Sequence, residues 1–431
     1  MKKKEFLTGV ASLSVSMLIT RSTSMAFSVY VSSRLGASNM GVFHLIVSVF
    51  AFAVTVAISG IPLAVTRLIS ESKSKERIRS VMSKCTVLAL FCGVTACAVM
   101  LISADAISVK LLKTPSTAIP IRLLALTLPL ISFSSVIRGY FTGIQKVSFI
   151  TASCMVEEFS SIAAVLGIMK CGINPDSAFM IPIWGTLVSS VITCVCDVVL
   201  YFLWARAKSL SKSVPVKTGE ILSISMPVAL GSYIRSGLVA VENMIIPIAL
   251  AKSGMINGVA GYGVIKGMAM PIITFPYVFL QSLTSLLIPE VSGRYAKHNR
   301  RSVIRAAKTS IRWTFILAMA IAVFLLIYGK KLATNLYGNW EAGLYVTALS
   351  LLTIPMYIDS VTDSLLKGLN EQVYCLKINI IDSAIRVPVI YLLLPCMGIY
   401  GYIAVLYGSE LMNLALSAHR LKKILVQSAN T

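Results

Sequence analysis

"SVSMLITRSTSMAFSVYVSSRLG", residues 14–36, has the length and apolarity to cross a lipid bilayer, yet it carries an arginine, Arg21, near its middle. A transmembrane helix needs about 20 predominantly apolar residues. A charged side chain at the bilayer centre costs about 2.5–3.5 kcal/mol on insertion scales, so it usually faces a protein interior or a watery cavity. The stretch therefore predicts a membrane-spanning helix that lines a polar space.

The composition places most of the chain in lipid. Of 431 residues, 56% are hydrophobic and 13% are charged, and the mean hydropathy is +0.83. A soluble globular domain carries about 25% charged residues. An all-α polytopic membrane protein is therefore predicted, with the lipid bilayer as its first partner.

The formal net charge of +22 has two interpretations. A large positive charge is typical of nucleic-acid-binding proteins. Here, however, the basic residues lie in short segments between apolar runs, such as RLISESKSKERIRSVMSK, residues 67–84. That pattern is typical of cytoplasmic loops, which orient a membrane protein and favour anionic lipid headgroups. No nucleic-acid partner is expected.

The sequence contains no motif of catalysis or metal binding. Its nine cysteines lie almost wholly within apolar runs, without paired CxxC units or a Cys/His cluster. There is no phosphate-binding Gly-rich loop followed by Lys-Ser/Thr, no HExxH and no GxSxG. We therefore expect no metal, no cofactor and no enzymatic activity.

About twelve segments have the length and apolarity of membrane spans. They are 9–32, 41–66, 85–104, 119–141, 148–169, 179–204, 221–249, 263–288, 309–328, 343–365, 375–395 and 398–418. An even number places both termini on one side. With the termini in the cytoplasm, that side has about 26 Lys and Arg against about seven on the other, as the positive-inside rule requires. Both termini are predicted to be cytoplasmic.

The second half of the sequence repeats features of the first. A proline followed by a basic stretch leaves the second span and again the eighth, at IPLAVTRLISESK and LIPEVSGRYAKHNRR. After the fourth and tenth spans, Gly143 pairs with Gly368 and Gln145 with Asn370. Similar offsets at several positions indicate duplication.

This duplication predicts two pseudo-symmetric six-helix bundles, residues 1–204 and 221–431, joined by a cytoplasmic linker at 205–220. Binding sites in membrane proteins built from such repeats lie near the midplane, where the repeats meet. A central cavity between the bundles is therefore expected.

Polar residues recur at helical spacing in the first, second, seventh and eighth spans. In the first span Ser14, Arg21 and Ser28 are seven residues apart and share one face. The residues predicted to line the cavity are Arg21, Arg235, Lys266, Glu242, Ser14, Ser28, His44 and Gln281. Four further residues are predicted to let these helices bend, namely Gly60, Pro62, Pro227 and Pro271.

The cavity is predicted to be cationic and to suit an anionic ligand. Its most prominent charges are Arg21, Arg235 and Lys266, and the fork of an arginine matches phosphate oxygens. A structural role is the alternative for Arg21, which would then pair with an intramembrane carboxylate. The candidates are Glu157, Glu158, Asp197, Asp359, Asp363, Asp382 and Glu410. A structural role is likewise the alternative for Lys266, which would then lie near an extracellular end and snorkel to the interface. Asp382 and Arg386, four residues apart, are predicted to form an ion pair on one helix.

Three stretches carry a resemblance to a known superfamily. They are SMLITRSTSMAFSVYVSSRLGASNMGVFHL, ISGIPLAVTRLISE and YGVIKGMAMPIITFPYVFLQSLTSLLIPEVS. They resemble the first, second and eighth spans of the multidrug/oligosaccharidyl-lipid/polysaccharide (MOP) exporter superfamily. The resemblance is to its branch of stage V sporulation protein B and polysaccharide flippases, which is related to the lipid II flippase MurJ.

The resemblance implies flipping of an undecaprenyl-pyrophosphate-linked saccharide from the inner to the outer leaflet of the bacterial cell membrane. The setting would be peptidoglycan, cell-wall or spore-cortex synthesis. The cavity arginines of the first span and the basic residue of the eighth span of lipid II flippases map by position to Arg21 and Lys266. The chain departs from those flippases by lacking an aspartate near Met40–Gly41 and a second mid-span arginine in the first helix. It also has twelve predicted spans where that branch usually has fourteen, so the groove for the lipid tail is missing.

Two other functions are alternatives. An ion-coupled multidrug antiporter would expel organic cations with a titrating carboxylate, whereas the predicted cavity is mainly basic. A non-transporting membrane scaffold has no sequence feature in its favour. We expect a monomer to be functional, and the coupling ion is left open.

Overall fold

The computed structural model describes residues 3–58, 60–72, 75–112, 114–170, 178–205, 217–254, 258–296 and 300–427. Within these ranges it gives the backbone but not the side chains of residues 3–18, 21, 75, 111, 147, 204, 205, 278, 279, 282, 283, 285, 286, 289, 290, 296, 300, 426 and 427. Every regular element in this part of the chain is helical. The predicted all-α membrane class is confirmed.

The first part of the chain forms spans 1 to 6. Their helices are Lys3–Ile58, Ile61–Glu71, Lys75–Ala106, Ile107–Leu111 (a π-helix), Pro115–Thr117 (a 3₁₀ turn), Ala118–Ala125, Leu128–Gly143, Val147–Lys170 and Met180–Ala205. Helix Lys3–Ile58 contains Gly36, whose φ is +75°, and this residue separates span 1 from span 2. Only glycine adopts this conformation without steric cost.

The remaining helices form spans 7 to 12. They are Thr218–Lys252, Gly258–Gly263, Val264–Ala269 (a π-helix), Met270–Thr274, Tyr277–Ala296, Arg300–Tyr337, Trp340–Leu349, Ser350–Leu352 (a 3₁₀ turn), Thr353–Gly368 and Gln372–Gln427. Gly398, with φ 57° and ψ −137°, divides the last helix into spans 11 and 12.

Nine helical segments within the described ranges are long and apolar enough to cross a membrane. Two of them are bent, at Gly36 and Gly398, and each holds two of the predicted spans. The interrupted segment 258–296 supplies span 8. The twelve predicted spans are therefore all present, and most of them begin and end a few residues beyond the predicted limits.

The chain forms two compact units, and each contains two separate segments. The first unit is Met1–Ser16 with Leu45–Ala240, and the second is Met17–His44 with Val241–Thr431. The segments 17–44 and 221–240 thus belong to different units from the halves predicted for them. Residues 206–216 of the predicted linker lie outside the described residues. The division into halves at 205–220 remains a prediction.

Each unit has its own apolar core. In the first unit Ile61, Val65 and Leu68 of span 2 pack with residues of spans 3 and 4, such as Cys85 and Phe141. In the second unit the core contains Val303 and Ala307 of span 9, Tyr357 and Leu365 of span 10 and Leu280 of span 8. These buried residues recur every three or four positions, so one face of each helix is fixed toward its neighbours.

The paired residues at the ends of spans 4 and 10 share an unusual backbone. Gln145 and Asn370 are the two non-glycine residues with positive φ in the described part of the chain, at 59° and 67°. Each follows a 16-residue helix that ends at Gly143 or Gly368. Both glycines are tightly packed, because an added Cβ would lie 2.9 Å from Ile69 or 3.1 Å from Ile288. The same helix ending thus occurs in both units, which supports duplication.

Candidate functional site

Arg235 lies midway along span 7, in the first unit, and its side chain is exposed. The neighbouring face of the helix packs on span 2, where Thr55 Oγ1 donates to Ser236 Oγ at 3.1 Å and Tyr233 Oη donates to the Val56 carbonyl at 3.4 Å. Because Tyr233 and Ser236 fix this face, Arg235 is directed away from span 2.

Lys266 lies in the π-helical segment Val264–Ala269 of span 8, in the second unit. Short π-helical segments interrupt the i→i−4 hydrogen-bond ladder and often occur at functional sites. The Ser32 hydroxyl of span 1 donates to the Gly267 carbonyl within this segment at 3.1 Å. A side chain of span 1 thus supports the segment that positions Lys266.

Glycines bring the start of span 2 and span 8 into backbone contact. An added Cβ at Gly263 would lie 2.0 Å from the Ala37 carbonyl oxygen, and one at Gly41 would lie 2.0 Å from the Val259 carbonyl oxygen. A Cβ at Gly267 would lie 3.3 Å from His44 Nε2. The predicted site residues His44 and Lys266 consequently interact electrostatically within one unit.

An aromatic side chain connects Lys266 to a buried acidic group. Lys266 Nζ lies 5.9 Å from the centre of the Tyr402 ring, a cation–π arrangement, and Tyr402 is fully buried. Tyr402 also interacts electrostatically with Glu242 and Arg386. Two predicted residues, Lys266 and Glu242, are therefore near the same aromatic side chain, Tyr402.

Glu242 takes part in a buried ion-pair network. Arg386 Nε lies 3.2 Å from Glu242 Oε2, and Arg386 Nη2 lies 3.4 Å from Asp382 Oδ2. The Ser409 hydroxyl donates to Asp382 Oδ1 at 2.6 Å. The predicted pair of Asp382 and Arg386 is confirmed. Glu242, which is predicted to line the cavity, is 3% exposed and pairs with Arg386.

Two further carboxylates lie beside this network. Glu410 interacts electrostatically with Asp359, Asp382 and Arg386, and Asp359 lies near Ser417. Both are partly buried. Glu242, Asp382, Asp359 and Glu410 thus lie near Arg386 or its partners in the second unit, and Asp363, paired with Lys367, lies next to Asp359.

The first unit contains a different network, around Arg138 of span 4. Arg138 Nη2 lies 2.6 Å from Glu157 Oε2 of span 5, and Nε lies 3.5 Å from Asp197 Oδ2 of span 6. Arg138 Nε also donates to Ser153 Oγ at 3.1 Å. A cavity of about 80 Å³ adjoins the network and is lined by Ser134, Ser135, Ser190 and Thr193 among others. Its size and polar walls suit several water molecules.

A larger cleft in the first unit has a different chemistry. It measures about 450 Å³ and lies among Phe52 and Val56 of span 2, Val99 of span 3 and Tyr233 of span 7. The lining hydroxyls of Thr95 and Ser103 bond to carbonyls of their own helix. The walls are therefore apolar and suit hydrocarbon.

The structure leaves some predicted residues untested. The side chains of Ser14 and Arg21 lie outside the described residues, although the backbone places both in span 1. Ser28 is partly buried and Gln281 is exposed. The structure gives these two residues no contact that assigns a role.

The four predicted bending points differ. Gly60, with φ 67°, precedes helix Ile61–Glu71, in which Pro62 occupies the first turn. Pro271 is the second residue of the short helix Met270–Thr274, which begins directly after the π-helical segment. Helix Thr218–Lys252, in contrast, continues through Pro227. Helices are thus interrupted at three of the four positions.

A family model described as "Polysaccharide biosynthesis protein" matches residues 6–277. The chain belongs to this family. Stage V sporulation protein B of Bacillus subtilis (strain 168) is 22% identical, over 99% of this chain and 85% of that protein. Sporulation protein YkvU of the same organism is 22% identical, over 80% of this chain and 78% of that protein.

Solved structures of the MOP superfamily have the same fold. An inward-facing multidrug resistance MATE family transporter superimposes with a TM-score of 0.76 at 16% identity, covering 98% of this chain and 99% of the other. A MOP superfamily transporter from Pyrococcus furiosus Vc1 (DSM3638) gives 0.71 at 18% identity, covering 98% and 96%. The predicted MOP fold is confirmed.

Within this family member, the mid-span cations fall into two groups. Arg138 and Arg386 each contact two carboxylates. Arg235 and Lys266 have no carboxylate within ion-pair distance among the described residues. Sequence reasoning missed the Arg138 network. The signal was available, since Arg138, Glu157 and Asp197 are charged residues within three consecutive predicted spans.

Proposed function

We propose that the protein moves an undecaprenyl-pyrophosphate-linked saccharide from the inner to the outer leaflet by alternating access. The observation that carries the proposal is that no carboxylate of the described residues lies within ion-pair distance of Arg235 or Lys266. An unpaired cation in a membrane span is costly, so it is retained where a ligand supplies the missing negative charge. Membership of the polysaccharide biosynthesis family makes a lipid-linked saccharide the favoured ligand.

In this proposal Arg21, Arg235 and Lys266 bind the pyrophosphate in the predicted cavity. Arginine offers two parallel N–H donors to phosphate oxygens, and lysine offers a point charge. The two halves then rock, and the saccharide is released outside while the prenyl chain stays in lipid. No covalent bond is made or broken. A role in sporulation is supported by the names of the two Bacillus relatives.

The test is a leaflet-accessibility assay in proteoliposomes. Lipid II and other undecaprenyl-linked saccharides are compared, with and without a membrane potential. Arg21→Ala is expected to abolish flipping, and Arg235→Gln to slow it roughly 10- to 100-fold, the value of one charge-assisted hydrogen bond. Arg235→Lys should retain more activity than Arg235→Gln.

Lys331→Gln is the matched control, because Lys331 is an exposed cation at the far end of span 9. It should leave flipping unchanged. Normal flipping by well-expressed Arg21→Ala and Arg235→Gln proteins would contradict the proposal.

A multidrug antiporter is the second candidate, and one observation favours it. Asp359 and Glu410 lie near Asp382 in the second unit, and carboxylates in a protein interior can take up protons or cations. The P. furiosus relative in fold is described by a "reverse polarity of binding pocket", suggesting a different function within this superfamily. Export of cationic dyes by proteoliposomes, lost in Asp359→Asn but kept in Arg235→Gln, would favour the antiporter.

A further inference from the structure

The beginning of span 9 has two sharply different faces. Val303, Ala307 and Thr314 are buried. Arg301, Arg305, Lys308 and Arg312 are exposed and recur at spacings of four, three and four residues. Because 3.6 residues make a turn, these four side chains form one stripe, hereafter the basic face, opposite the core.

No acidic residue neutralises the basic face from its own helix. The sequence from 291 to 340 contains no Asp or Glu. In the described part of the chain, no carboxylate lies within ion-pair distance of these four cations. The stripe extends about 16 Å at 1.5 Å per residue. It therefore carries four positive charges along three turns.

The corresponding helix of the first repeat is different. Span 3 also begins after a basic stretch, but Arg77 Nη2 lies 2.7 Å from Glu220 Oε1, and Glu76 precedes it. A general requirement for positive cytoplasmic charge would be met by either arrangement. The basic face on span 9 has no counter-charge among the described residues, which indicates an anionic partner outside the chain.

The end of the stripe locates that partner in the membrane. Arg312 is followed by Trp313, which is 67% exposed, and then by exposed Phe315 and Ile316. Tryptophan is enriched at the level of lipid headgroups, and exposed large apolar side chains beyond it face the acyl chains. The cations therefore lie where the predicted cytoplasmic headgroups begin.

We propose that the basic face binds the phosphates of anionic phospholipids in the cytoplasmic leaflet. Phosphates spaced along three turns receive charge-assisted hydrogen bonds from Arg301, Arg305 and Arg312 and the ammonium of Lys308. Trp313 packs at the glycerol level. The bound lipids hold this end of the second unit at the membrane surface, independently of any transported substrate.

Trp313 itself reports on the bound lipid. The other three tryptophans are replaced by phenylalanine, as Trp184→Phe, Trp204→Phe and Trp340→Phe. The full-length protein is then reconstituted with phosphatidylcholine or phosphatidylglycerol carrying brominated acyl chains, which quench a neighbouring indole. At low ionic strength, the apparent affinity of the site beside Trp313, measured by quenching, should be about fivefold or more higher for brominated phosphatidylglycerol than for brominated phosphatidylcholine. Added salt should weaken that preference.

Three variants give the decisive comparison. Replacing all four cations of the basic face by glutamine should abolish the preference, and replacing the three arginines by lysine should keep most of it. Lys331→Gln, at the other end of the same helix, should change nothing. Helical circular dichroism of each variant checks that it is folded.

Two outcomes would overturn the proposal. One is equal quenching by the two brominated lipids, or a preference that survives in the folded four-glutamine variant. The other is displacement of brominated phosphatidylglycerol by a few mole per cent of undecaprenyl phosphate, which would identify the lipid carrier as the occupant. The assay involves no transport, so its failure is distinguishable from failure of the proposed flippase function.

Discussion

Each unit holds an arginine between two carboxylates, but the two networks differ in their surroundings. Arg138 in the first unit adjoins a cavity that is large enough to hold water, and the side chain of its partner Glu157 is 44% exposed. The side chain of Arg386 in the second unit is 18% exposed. It contacts the side chains of Glu242 and Asp382, which are 4% and 6% exposed. Asp359 and Glu410 add two more carboxylates there.

The difference separates two roles for charge inside membrane helices. The Arg138 network joins spans 4, 5 and 6 and is adjacent to space for water, so its charges are partly screened. The Arg386 network joins spans 7 and 11 through largely buried side chains. Its carboxylates depend on one arginine. The second network is therefore the more sensitive to loss of its cation.

Arg386→Met should have the largest effect on stability. It leaves Glu242 and Asp382 buried without a counter-charge, which costs about 3–5 kcal/mol. The measurement is the midpoint of unfolding in detergent. The triple variant Arg386→Met, Glu242→Gln, Asp382→Asn removes the stranded charges and should regain most of that loss. If the single and triple variants unfold alike, the network is not the source of the stability.

Arg138→Met should be milder, at about 2–3 kcal/mol, because Glu157 and water in the cavity compensate in part. The same unfolding measurement compares the two arginines directly. Asp197, at 2% side-chain exposure, bears most of the cost. Asp197→Asn in the Arg138→Met background should therefore restore more stability than Glu157→Gln. If Glu157→Gln restored more stability than Asp197→Asn, side-chain exposure would not determine the cost of losing Arg138.

The sequence predicted what depends on local pattern. Hydropathy predicted all twelve spans, because an apolar run of bilayer length is typical of a membrane-spanning helix. The spacing of four residues predicted the pair of Asp382 and Arg386. It could not predict that Glu242 joins that pair, since Glu242 comes from span 7, far away in sequence. The π-helical segment at Lys266 was also missed, because its cause is tertiary, namely glycine-mediated contact with span 2. The shared cavity for Arg21, Arg235 and Lys266 stays a prediction.

The smallest effect concerns the repeated helix ending. Gln145 and Asn370 both adopt a left-handed backbone, which costs an ordinary L-residue about 1–2 kcal/mol, whereas asparagine tolerates it better. Gln145→Gly should therefore stabilise the protein by up to about 1 kcal/mol, and Asn370→Gly by less. The unfolding midpoints of Gln145→Gly, Gln145→Asn and Asn370→Gly test this order. The gain in stability from Gln145→Asn is expected to lie between those of the two glycine variants. If Gln145→Gly destabilised the protein, the Gln145 side chain would have to make a contact whose free energy exceeds the backbone strain. The two units would then differ in side-chain contacts at the position where their backbones agree best.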